Sequence, residues 1–130
     1  MRALLVDDSP LIRARLRALL ALAGQEQGIF EAGDVPSAIR QIEEIRPNLV
    51  VLDLRLPGGS GFDVLGYLRN TASSPLVIVL TNYATQVNRK RCPEDGAHHF
   101  FDKTKEYAKA IEVIKARLAS TTCAPGAAGG

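Results

Sequence analysis

Short apolar runs alternate along this chain with longer stretches of helical period, a pattern that suits parallel strands joined by crossover helices and few other folds. Five runs read as strands: Ala3 to Val6, Gly28 to Ala32, Asn48 to Leu54, Leu76 to Thr81 and His98 to Phe101. The third and fourth are continuous Val/Ile/Leu stretches, the composition of strands covered on both faces. Between the first two, Leu11 to Ala23 sets Ile12, Leu16, Leu19, Leu20 and Ala23 on one stripe, with Arg13, Arg15 and Arg17 largely off it and Gly24 as a stop. Asp34 is placed to cap a second helix that carries Ala38, Ile39, Ile42 and Ile45 and ends at Pro47. A short third helix spans Phe62 to Arg69, a polar fourth Ala84 to Cys92, and a fifth Lys105 to Ala119 with Thr104 as its expected cap. From Ser120 onward no apolar period remains, so residues 120 to 130 read as a flexible tail behind one domain of residues 1 to 119.

This order predicts an α/β fold: a doubly wound five-stranded parallel sheet with five helices and the flavodoxin-like strand order 2-1-3-4-5. Ligands in such sheets bind at the carboxyl ends of the strands. On that edge the sequence sets Asp7 and Asp8 after the first strand, Asp53 at the end of the third, Thr81 at the end of the fourth and Lys103 just past the fifth. Beside an apolar run, an ionised Asp53 is costly unless it is paired or bound to a cation. At 130 residues and 46% apolar side chains there is material for one core and no room for a second. Sixteen basic residues nearly cancel fourteen acidic ones, so net charge implies no direct contact with nucleic acid. The first apolar run meets Asp7-Asp8 too soon for a signal peptide or a membrane span, so a cytoplasmic protein without membrane insertion is expected. Cys92 and Cys123 lack metal-ligand spacing, and no structural disulfide is expected.

The stretches Leu5-Val6-Asp7-Asp8-Ser9, Leu52-Asp53-Leu54-Arg55-Leu56-Pro57 with Gly61 following, Thr81 closing an apolar strand, and Phe100-Phe101-Asp102-Lys103 stand in order on the predicted elements. Together they resemble the receiver domain of bacterial two-component response regulators, over about residues 2 to 119. The resemblance implies that Asp53 accepts a phosphoryl group from a sensor histidine kinase or phosphotransfer protein. It implies a Mg²⁺ held by Asp8 and Asp53, by Asp7 directly or through water, and by the Arg55 carbonyl. Thr81 would offer its hydroxyl to the phosphoryl oxygen, Lys103 its ammonium, and Thr81 with Phe100 would form the switch. Three carboxylates at about −3 against one Mg²⁺ and one ammonium at about +3 leave a near-neutral site for an anionic phosphoryl group. No linker to an output domain is read, so the resemblance points to a stand-alone, chemotaxis-regulator-like receiver that acts on a downstream protein target. Three positions depart from the family pattern: Asn82 where a small residue is usual, Thr104 where Pro is usual, and Phe100, which lacks a hydroxyl. Phe100 is accordingly expected to sit mostly inward before any phosphorylation.

Other readings of the same residues are weaker. A phosphatase with an Asp nucleophile needs a second carboxylate two residues on, where Arg55 stands, so turnover of a free substrate is not expected. A pseudo-receiver is marked by a broken acidic set, and this one is intact. Pro57-Gly58-Gly59-Ser60-Gly61 reads as a loop rather than a phosphate cradle, because no Lys-Ser/Thr follows. His98 and His99 read as strand-edge residues, Arg89-Lys90-Arg91 as a solvated helix face, and Cys92 as a packing residue at a helix end. Arg55 and Tyr83 flank the site with functional and structural readings evenly weighted.

Overall fold

The computed structural model describes residues 1–25, 27–72 and 74–129, with side chains described as far as 119. Its parallel sheet has five strands in the order β2-β1-β3-β6-β7, formed by β1 (Ala3–Val6), β2 (Ile29–Ala32), β3 (Leu49–Leu52), β6 (Leu76–Thr81) and β7 (His99–Asp102). With the two-residue strands β4 (Arg55–Leu56) and β5 (Gly59–Ser60) set aside as a separate antiparallel hairpin, this is the predicted 2-1-3-4-5 order. Register is continuous across the centre: Leu5 pairs with Val51, and Val51 with Ile78.

Because strand side chains alternate between faces, each apolar run feeds two cores. Leu4, Val6, Val50, Leu52, Val77 and Val79 pack on one face beneath α2 (Val35–Ile45), α3 (Gly61–Arg69) and α4 (Gln86–Glu94). On the other face, Ala3, Leu5, Leu49, Val51, Ile78 and Leu80 meet Leu16 and Leu20 of α1 (Pro10–Leu22) and Ala110, Ile114 and Leu118 of α5 (Tyr107–Gly129). The backbone of α5 runs on into the segment expected as a tail, residues 120 to 130, whose side chains lie outside the described residues.

Helix entries follow local chemistry. Ser9 caps α1 ahead of Pro10, Asp34 caps α2 through the Ser37 N–H, and Ser60 with Asp63 forms a reciprocal capping box on α3. The fourth helix differs from expectation at both ends. It begins at Gln86 because Thr85 caps it through the Asn88 N–H. It runs past Cys92 to Glu94 even though Pro93 lacks an N–H, the Asp95 N–H closing the last turn on the Arg91 and Cys92 carbonyls. Thr104 does not cap α5. The Asp102 carboxylate accepts from the Thr104 and Lys105 N–H groups instead, and the Glu106 carboxylate accepts from the Asp102 N–H, so a turn of four residues, 103–106, precedes the helix.

The fifth strand of the sheet starts one residue late because His98 Nδ1 takes the Val77 N–H at 3.0 Å, a side chain standing in for a ladder rung. His98 is exposed, while the half-buried His99 ring stacks on Phe101. No cis peptide bond occurs among the described residues.

Candidate functional site

The carboxyl edge of the sheet gathers Asp7, Asp8, Asp53 and Lys103 around a cleft of about 300 Å³, which Arg55, Asn82 and Tyr83 also line. The parallel register accounts for this: Val6 lies beside Leu52 and Leu52 beside Val79, so whatever follows β1 and β3 emerges at one level. Asp53 leaves β3 with its N–H still bonded to the Val6 carbonyl at 2.9 Å. Asp7 and Asp53 are 4% and 5% exposed, too deep for two bare carboxylates without a counter-charge.

Lys103 supplies one. Its Nζ donates to Asp7 Oδ2 at 2.6 Å and to Asp53 Oδ2 at 3.0 Å, with the side chain only 9% exposed. Burial alone would lower the Lys103 pKa, but the bonds to both carboxylates outweigh it and hold the ammonium above its ordinary range. Asp7 is pushed up, chiefly by burial and further by the Asp53 charge, against the opposing pull of Lys103 and the Ser9 N–H. The cluster is therefore short of positive charge. Asp7, Asp8 and Asp53 each offer a carboxylate oxygen, and these atoms lie within 4.8 Å of one another. An all-oxygen set of that size, with Asp8 open to solvent, fits a hard divalent cation that keeps part of its water shell, as Mg²⁺ does.

The remaining predicted residues take distinct places. Arg55 lines the cleft, its guanidinium donating to the Tyr83 hydroxyl and lying 5.1 Å from that ring's centroid. Thr81 closes β6 but is fully buried behind the cleft, its hydroxyl accepting from the Tyr83 N–H at 3.1 Å. Phe100 is half-buried against the core beneath α4, with the Arg89 guanidinium 5.0 Å from its ring centroid. The two polar departures from the family pattern meet each other, Thr104 Oγ1 bonding to Asn82 Oδ1 at 3.3 Å.

Sequence reasoning gave no role to three contributors, although Ser9 and Gly61 stand in the stretches that carry the resemblance. Ser9 serves twice, donating its N–H to Asp7 Oδ1 and capping α1. Gly61 packs so closely that a Cβ there would lie 2.5 Å from the Asp53 carbonyl oxygen, while its N–H bonds the Leu54 carbonyl. Arg13 places Nη1 on the Asp7 carbonyl. Periodicity had marked it only as lying off the apolar stripe, and its spacing of four from Arg17 was the one available hint that the two share a face.

The family model described as "Response regulator receiver domain" matches residues 3–115. The chain belongs to that family. The receiver is 30% identical over 116 residues to the DNA-binding transcriptional activator EvgA of Escherichia coli, a match covering 89% of this chain and 56% of EvgA. It thus spans about half the length of the curated relatives it matches. Among solved structures it is similar to the receiver domain of the sensor histidine kinase PA1611 from Pseudomonas aeruginosa, which has a magnesium ion coordinated in its active-site cleft. That likeness has a TM-score of 0.75 at 26% identity and covers 89% of this chain and 94% of the other. The response regulator TrrA of Thermotoga maritima, in complex with Mg²⁺ and BeF, superposes with a TM-score of 0.73 at 29% identity over 88% of this chain and 96% of that one.

Proposed function

We propose that this receiver accepts a phosphoryl group on Asp53 from a sensor histidine kinase or phosphotransfer protein, in a Mg²⁺-dependent reaction, and signals by a change of shape to a protein partner. The observation that carries the reading is the buried Asp53 carboxylate, bridged to Asp7 by Lys103 and facing the open carboxylate of Asp8. In the transfer, an Asp53 oxygen forms a bond to phosphorus as the P–N bond to the donor imidazole breaks, and the electron pair leaves on the nitrogen. Lys103 stands ready to hold a phosphoryl oxygen in exchange for its bond to Asp53. Asp7, Asp8, Asp53 and the Arg55 carbonyl would hold the metal, whose bound charge offsets that of the transferring oxygens. Thr81 reaches the phosphoryl group by exchanging its bond to Tyr83, and with Phe100 it forms the proposed switch. The chain catalyses only its own phosphorylation and dephosphorylation.

Among the described residues no helix is long and apolar enough to cross a membrane, and the proposed location is the cytoplasm. The DNA binding named for EvgA belongs to a protein of which this chain matches about half, so the output proposed for the receiver itself is protein contact. Incubation with acetyl phosphate and Mg²⁺ should give a hydroxylamine-sensitive acyl phosphate that Asp53→Asn abolishes, because the amide does not attack phosphorus. Undiminished labelling of that variant refutes the assignment.

A further inference from the structure

Two carboxylates of the cluster are aimed by direct bonds and the third is not. Asp7 is held at Oδ1 by the Ser9 N–H and at Oδ2 by Lys103, and Asp53 is held by Lys103. Among the described residues, nothing bonds the Asp8 carboxylate, which is exposed. Its direction depends on the backbone that carries it, the Asp7-Asp8 peptide. The oxygen of that peptide is where Arg13 Nη1 donates, at 2.5 Å from the first turn of α1.

Arg13 is itself held in place. Its Nε donates to Glu31 on β2 at 2.9 Å, and Glu31 also receives Arg17 Nε at 2.8 Å. The Arg13 side chain is 18% exposed, shielded well enough for these charged contacts to keep one geometry. Gly33, just past β2, leaves the space the guanidinium occupies, since a Cβ there would come within 3.1 Å of Nη1. Helix, edge strand and glycine thus converge on one peptide plane.

We propose that Arg13 is a positioning residue for the cation site: by holding the Asp7 carbonyl it sets the Asp8 carboxylate toward Asp7 and Asp53. The inference rests on the phosphoacceptor reading above and deepens it. Groups that orient a ligand from outside the coordination sphere typically change metal affinity by about 10–100-fold when removed. Arg17 provides the contrast, because it braces the same Glu31 and the Ile29 carbonyl without touching the Asp7-Asp8 peptide.

Calorimetric titration of the full chain with Mg²⁺, beside thermal melting, separates these roles. Arg13→Met should weaken Mg²⁺ binding by about tenfold or more, whereas Arg17→Met should leave it within about twofold even where its melting temperature falls as far. Gly33→Ala keeps every polar group and crowds Nη1, so it should produce a smaller loss in the same direction; it also serves if Arg13→Met folds poorly. With acetyl phosphate, the Mg²⁺ concentration giving half-maximal rate should rise in Arg13→Met while the rate at saturating Mg²⁺ returns close to wild type. Wild-type Mg²⁺ affinity in both Arg13→Met and Gly33→Ala, or equal losses in Arg13→Met and Arg17→Met, overturns the proposal and leaves Arg13 a tie between α1 and β2. Identical titrations of wild type and Asp8→Ala would instead defeat the cation reading itself, and this inference with it.

Discussion

The same substitution made twice on α3, five residues apart, should have opposite signs. At Gly61 an added Cβ would sit 2.5 Å from the Asp53 carbonyl oxygen and 2.8 Å from Leu54 Cα, whereas ordinary contact begins at 3.4 Å. Both obstacles are backbone, so neither can swing aside. Either the start of α3 or the Asp53 peptide must move by about 1 Å, and overpacking of that kind costs about 1–3 kcal/mol. At Gly66, in the middle of the helix, a Cβ meets nothing within 4 Å, and the gain in helix propensity is about 1 kcal/mol. With about 4 °C per kcal/mol for a chain of this size, Gly61→Ala should melt roughly 8 °C below wild type and Gly66→Ala a few degrees above it. Phosphorylation separates them as well. A misplacement of about 1 Å at a reacting group costs up to about a hundredfold in rate, so Gly61→Ala should be labelled far more slowly from acetyl phosphate while Gly66→Ala keeps the wild-type rate. Melting curves and initial labelling rates on the two variants suffice. Equal stability of the two proteins, or a Gly61→Ala protein labelled as fast as wild type, would show that the contact at Asp53 relaxes without cost.

Two further outcomes follow from the charges and the core. Asp8→Ala removes one of three crowded carboxylates from an exposed position, so its melting temperature in metal-free buffer should hold or rise; a clear fall would make Asp8 a structural residue. The Cys92 thiol is fully buried, and burial, with Asp95 adding to it, pushes its pKa up to about 11. In a Cys123→Ser background the native protein should therefore resist a thiol-disulfide reagent at pH 8 and react only on unfolding, and rapid labelling of the folded protein would contradict that.

What the sequence made legible was whatever rested on apolar periodicity. Continuous runs such as Leu49 to Leu52 and Leu76 to Thr81 admit one placement in a doubly covered sheet, and once they are aligned the convergence of Asp7, Asp53 and Lys103 follows. Legibility failed where polar atoms chose among several backbone donors. Thr104 looked like a cap, but Asp102 lies two residues nearer the strand and takes both free N–H groups first. The polar α4 carried too few apolar positions to mark its ends, and Thr85 and the Asp95 N–H set them instead. The roles of Arg13 and Gly61 were illegible for a related reason, even though Gly61 stood in a recognised motif: each acts on a carbonyl oxygen, and backbone carbonyls leave no trace in residue types.

The hairpin after β3 bears on how the two sides of the cleft differ. The Val35 N–H binds the Pro57 carbonyl, the Gly61 N–H binds the Leu54 carbonyl, and the Ser60-Asp63 box closes the far end, so the chain from Asp53 to α3 is stitched to two helices. Across the cleft, the segment from Asn82 to Asn88 is tied mostly through side chains: the Tyr83 N–H to the Thr81 hydroxyl, the Asn88 N–H to Thr85, Asn88 to the Tyr83 carbonyl and Thr104 to Asn82. One wall is thus fastened by backbone bonds and a capping box, the other chiefly by side chains. Under the proposed phosphorylation of Asp53, the wall expected to give is therefore the one toward α4.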